Sequence, residues 1–117
     1  MMARILVADC SDPEFSTALA RVLALKGFGT VGTECNGTEE LWLRVLAERP
    51  DLLLVDRKNG AEIIERLRAT PRRQQVRVLV VDSDRNIDRE VPGADGYIQC
   101  PAPPNIYVQA VRDALSA

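Results

Sequence analysis

The chain has 117 residues, 46% apolar and 27% charged, with a net charge of -2. That length suits one domain whose core needs no disulfide staples, and the near-neutral balance supplies no basic field for nucleic acid. Histidine is absent, which excludes His-based catalysis, His metal ligands and a phosphohistidine role, and the three scattered cysteines fit a reducing cytoplasm better than a disulfide framework.

The elements follow in order. Arg4-Ile5-Leu6-Val7-Ala8 is an apolar run of strand length ending at Asp9. It is too short for a signal peptide, and no stretch approaches a membrane span, so no membrane role is expected. After Cys10-Ser11, Asp12 suits a helix N-cap, Pro13 the first helical position and Glu14 the positive helix end. Phe15, Leu19, Val22 and Leu23 recur at helical spacing until Gly27. Residues 29–33 read as a weaker, glycine-containing strand, and Asn36-Gly37 as a turn. Thr38-Glu39-Glu40 opens a second helix with Leu41, Val45 and Leu46 inward and an end near Arg49; Trp42 is read as packing rather than a binding platform.

Pro50-Asp51 precedes Leu52-Leu53-Leu54-Val55, a run without polar alternation, as in a strand buried on both faces. It ends in Asp56. A carboxylate at the carboxyl end of a central parallel strand lies at the rim where such sheets bind ligands; the plainer reading is that Asp56 caps the next helix. Arg57-Lys58-Asn59-Gly60 reads as a polar loop before a helix over 61–69, with Ile63, Ile64 and Leu67 inward. Residues 76–81 form a fourth strand ending at Asp82. The polar stretch 84–92 supports only a short, irregular helix. Gly93-Ala94-Asp95-Gly96 is a turn, residues 97–99 a fifth strand, and Pro101, Pro103 and Pro104 a stiff connection to a helix over 105–115 with Val108, Val111 and Leu115 inward. This alternation predicts a single α/β domain over 1–117, a doubly wound five-stranded parallel sheet. Asp9, Asp56 and Asp82 then share one rim, and carboxylates that close are expected to raise the titration of at least one of them.

In this order, Ile5-Leu6-Val7-Ala8-Asp9, Pro50-Asp51-Leu52-Leu53-Leu54-Val55-Asp56, Gly60-Ala61-Glu62, Gly93-Ala94-Asp95-Gly96-Tyr97 and Cys100-Pro101 together resemble a response-regulator receiver domain, the flavodoxin-like module of two-component phosphorelays. The resemblance implies strand order 2-1-3-4-5, a fourth helix that is short here, and Asp56 as phosphoacceptor. It implies Asp9 as one of the acidic pair holding magnesium, Tyr97 as the aromatic switch, and a cis bond before Pro101. It also marks departures. Cys10 stands where the second acidic magnesium ligand belongs, Asp82 where a Thr or Ser contacts the phosphoryl group, and Cys100 where a lysine pairs with the acceptor. A thiol is a poor magnesium ligand, so only weak Mg2+ binding through Asp9 and Asp56 is expected. An added anion at Asp82 repels a phosphoryl group by roughly 4 kcal/mol at about 4 Å and an effective dielectric of about 20. Arg57 and Lys58 are the nearby cations.

The expectation is an atypical receiver in two-component signal transduction that acts through protein partners, a histidine kinase or a downstream effector, with impaired phosphorylation and no enzyme activity beyond self-phosphorylation at Asp56. The alternative is a working receiver phosphorylated on Asp56 with an unusual metal and charge arrangement. A flavodoxin-like nucleotide or metal binder is a third reading, without a Gly-rich loop to support it. The resemblance implies signalling, and often dimerisation, through the face of the fourth helix, fifth strand and last helix, a face that is reworked here, and a homodimer is the further partner it leaves open. Zinc at Cys10 and Cys100 is weighed against simple packing of small buried thiols, which is favoured. Arg57, Lys58, Arg66, Arg68, Arg72, Arg73 and Arg77 cluster about the third helix, either as a solvated face or as a dock for an acidic partner.

Overall fold

The computed structural model describes residues 3–8, 13–32, 37–82, 91–99 and 102–116. Its elements are β1 (Arg4–Ala8), α1 (Pro13–Leu25), β2 (Gly29–Gly32), α2 (Thr38–Glu48), β3 (Leu52–Asp56), α3 (Arg57–Ala69), β4 (Arg77–Asp82), β5 (Gly96–Gln99) and α4 (Pro104–Ser116). The strands form one parallel sheet in the order β2-β1-β3-β4-β5. The polar stretch at 84–90, with the short helix expected there, lies outside the described residues, as do Asp9, Cys10, Cys100, Pro101 and the bond between the last two.

The apolar runs explain why the sheet is covered twice. Side chains alternate between sheet faces, so an unbroken run supplies both. Ile5, Val7, Leu52, Leu54, Leu79, Val81 and Ile98 point to one face and pack with Leu19 and Leu23 of α1 and Tyr107, Val108 and Val111 of α4. Leu6, Ala8, Leu53, Val55, Val78 and Val80 point to the other and pack with Leu41 and Val45 of α2 and Ile63, Ile64 and Leu67 of α3. Tyr107 belongs to the core although its spacing had not singled it out; its ring meets Phe15 at a centroid distance of 5.5 Å. Trp42 packs partly buried against the second cluster, with the Arg66 guanidinium 6.0 Å from its ring centroid.

One boundary differs from expectation in a way that matters for the site. Arg57-Lys58-Asn59-Gly60 is not a loop but the first turn of α3, which begins directly after β3. Two contacts make this connection without intervening residues work. Asp56 takes an extended conformation and caps the helix with its side chain. Gly60 is buried where a Cβ would sit 3.1 Å from Val55 Cγ1, so the missing side chain lets the first turn lie against the strand it leaves.

The basic set also disperses. Arg57 lies at the carboxyl rim; Arg66 pairs with Glu39. Arg68 donates to the carbonyls of Gln74 (2.6 Å), Val76 (3.0 Å) and Gly93 (2.9 Å) and reaches Asp95 at 3.3 Å. Arg77 approaches the same carboxylate at 3.8 Å. Asp95 in turn accepts from the Val78 N–H at 2.7 Å, which ties the turn before β5 to β4.

Candidate functional site

The carboxyl ends of β3 and β4 carry Asp56 and Asp82, in register with Val81 and Gln99 respectively. Asp56 is only 8% exposed. Its Oδ2 accepts from the Asn59 N–H at 3.2 Å, and its two oxygens accept from Asn59 Nδ2 at 3.1 and 3.0 Å. The Asn59 Oδ1 accepts from Thr38 Oγ1 at 3.0 Å, so the first residue of α2 is tied through Asn59 to the end of β3. Asp56 is therefore both the terminal residue of a central strand and the N-cap of the following helix. The plainer reading of this residue describes its contacts.

Asp82 is held separately. Arg57 Nε and Nη2 both donate to Asp82 Oδ2 at 2.6 Å, with the Asp82 side chain 13% exposed. Of the two nearby cations named from sequence, Arg57 is the one that meets Asp82. The cation lies on the first residue of α3, and it reaches Asp82 because that helix starts at the strand end instead of after a loop. A charge-assisted pair of this length, mostly shielded from water, is among the stronger hydrogen-bonded arrangements.

Magnesium needs several hard oxygens converging on one point. Among the described residues no three His, Cys, Asp or Glu side chains group to hold a metal, and the Asp56 and Asp82 oxygens already face an amide and a guanidinium. Asp9 and Cys10, the other residues expected at a magnesium site, lie outside the described residues. Cys100 is outside them too. Tyr97 is described: it is 44% exposed, its hydroxyl donates to the Val91 carbonyl at 3.1 Å and accepts from the Val91 N–H at 2.5 Å. That places the ring on the outside of β5, pinned to the segment that leads into it.

Thr38 and Asn59 were not among the residues picked from sequence. A signal for Asn59 exists: Asp followed three residues later by a side chain able to reach back is the spacing of an N-cap with its third helical residue. Thr38, 21 positions away from Asn59, leaves no such local mark.

By sequence, no protein-family model and no curated protein matches the chain. In three dimensions it is similar over nearly its whole length to solved receiver proteins. One is a chemotaxis response regulator of Vibrio cholerae, with a TM-score of 0.83 at 16% identity over 97% of this chain and 99% of that one. Another is a response-regulator receiver domain protein of Methanospirillum hungatei, with 0.82 at 22% over 99% and 95%. A third is an orphan response regulator of H. pylori, with 0.81 at 22% over 97% and 96%. The chain has the flavodoxin-like fold of response-regulator receiver domains.

Proposed function

We propose that this chain is a receiver-type signalling module that works through protein partners and has lost ordinary phosphotransfer at Asp56. The observation that carries the reading is the use of the Asp56 carboxylate as the cap of α3, with both oxygens on Asn59. Phosphoryl transfer is chiefly positioning and charge neutralisation. An acceptor oxygen must be free to approach phosphorus in line, with cations around the transferring group. Here attack would break the cap, unseat Asn59 from Thr38, and open a site that is nearly closed to solvent. The thiol of Cys10 in a magnesium-ligand position, and the lack of a lysine at Cys100, point the same way. Only weak Mg2+ binding is expected.

The partner is a signalling protein, a kinase or a downstream effector, and the proposed docking face lies on β5 and α4. That face carries the exposed Tyr97 and Ile106 and a shallow cavity lined by Leu79, Asp95, Gly96, Tyr97 and Asp113 among others. Solved neighbours include a receiver that modulates a diguanylate cyclase and a receiver domain of a histidine kinase, so receivers of this shape serve both upstream and downstream proteins. A cytoplasmic setting suits such partners, and no helix among the described residues is long and apolar enough to cross a membrane.

One observation favours the second reading, a working receiver. The amino end of α3 carries the positive end of the helix dipole with Lys58 beside it, and such an end favours an anion. A single experiment separates the two. The protein is incubated with acetyl phosphate and magnesium and followed by intact mass spectrometry, with Asp56→Asn as the control. No added phosphate is expected; a phosphate adduct that disappears in Asp56→Asn overturns the proposal in favour of the working receiver.

A further inference from the structure

At the opposite end of the sheet, the amino ends of β3 and β4 border a cavity of about 150 Å³ lined by Arg49, Pro50, Asp51, Arg72, Arg73 and Gln75, closed by Val76. Three arginines and one aspartate line it, and Asp51 Oδ2 already accepts from the Arg4 N–H at 2.8 Å. Among the described residues none of these three arginines makes an ion pair, whereas Arg4, Arg44, Arg57, Arg66, Arg68 and Arg77 all do. Arg73 Nε is buried without a hydrogen-bond partner, an arrangement that leaves a donor desolvated and unsatisfied. Arg49 and Arg72 sit at φ 49° and 68°, left-handed conformations that favour glycine or asparagine over arginine. Structural economy would put neither arginine where it is.

We infer that this cavity binds a dianionic oxyanion, a phosphate group either free or at the end of a small phosphomonoester. Guanidinium groups present paired N–H donors that match phosphate oxygens, and among the described residues none of the three arginines lining this cavity is already committed to an ion pair. The cavity volume admits a phosphoryl group and leaves any attached organic part outside. The site is independent of the rim and of the reading given above for Asp56.

The test is a titration with inorganic phosphate and, in parallel, O-phosphoserine, against chloride at matched ionic strength, followed by amide NMR and by thermal unfolding. Saturable shifts confined to residues 49–51 and 72–76, with a rise in Tm, are expected; the monoester binding more tightly than phosphate assigns the source to a phosphomonoester, and the reverse to the free ion. Arg49→Gly/Arg72→Gly keeps both left-handed positions in a residue that prefers them. It should unfold at a higher temperature without ligand, bind phosphate at least about tenfold more weakly, and lose the ligand-induced rise in Tm. Arg73→Gln should weaken binding similarly. No saturable binding up to tens of millimolar, shifts centred on Asp56 and Asp82 instead, or unaltered binding by the folded double variant overturns the inference.

Discussion

The two ends of the sheet treat charge in opposite ways. At the carboxyl end each described acidic side chain has a dedicated partner: Asp56 has Asn59, and Asp82 has Arg57. At the amino end three arginines converge with one carboxylate among them and make no ion pair among the described residues. Parallel sheets of this kind ordinarily do their chemistry beyond the carboxyl ends of the strands. Among the described residues, the acidic side chains at that end are held by hydrogen bonds, and three arginines without an ion pair are at the other. A resemblance of fold locates the rim; it does not say that the rim is still where the molecule meets its ligand.

The contrast is broken most strongly at Asp56. Asp56→Ala removes a helix cap and leaves the Asn59 amide buried without its acceptor, and should cost about 2–3 kcal/mol in chemical denaturation. Asp56→Asn, which still caps, should cost less than about 1 kcal/mol. Were the alanine variant as stable as the parent, the carboxyl end would not be structural in the sense argued here. Arg57→Ala comes next, at about 1–2 kcal/mol, because it strands a largely shielded carboxylate. Arg57→Ala/Asp82→Ala should recover part of that loss, and the coupling energy from the double-mutant cycle measures the pair.

At the amino end the sign should reverse. Arg49 is the left-handed C-cap of α2, so Arg49→Gly should stabilise by about 0.5–1 kcal/mol, read as a higher denaturation midpoint at unchanged m-value. A loss of stability there would erase the difference between the ends.

The smallest effect lies between them, at Glu39 and Arg66. The hydrogen bond from Arg66, together with its positive charge, holds the exposed Glu39 carboxyl below its ordinary value of 4.5. A carboxyl depressed in the folded state stabilises above its unfolded value and loses that contribution as pH falls through the folded one. The stability difference between the parent and Glu39→Gln should therefore be flat near neutrality and shrink below about pH 4.5. Added salt should shrink it at every pH, since the pair is open to solvent.

Much of the fold could be read from three apolar runs and the helical spacings between them, because a strand buried on both faces leaves little else to choose. Leu52-Leu53-Leu54-Val55 is such a strand, and its side chains divide between the two cores. The start of α3 was not legible in the same way. Arg57-Lys58-Asn59-Gly60 is polar and ends in glycine, the composition of a loop, and it is the Asp56 cap together with the fit of Gly60 against Val55 that accompanies its helical form. The site suffered the same limit. Asp56 and Asp82 could be picked out by position, but their partners depend on that one boundary: a helix starting four residues later would carry neither Asn59 nor Arg57 to the carboxylates. The cavity at Arg49, Arg72 and Arg73 joins residues from two separate turns, and its unpaired state is a property of the folded surface with no counterpart in spacing.

The joint between β3 and α3 has no residues of its own. Molecular switches work by hinges, short segments whose backbone torsions absorb the movement of one rigid part against another. A strand that passes straight into a helix, with a glycine Cα seated against the strand's last valine, has no slack for such a movement. A movement that began at Asp56 would therefore have to carry the end of β3 and the first turn of α3 together.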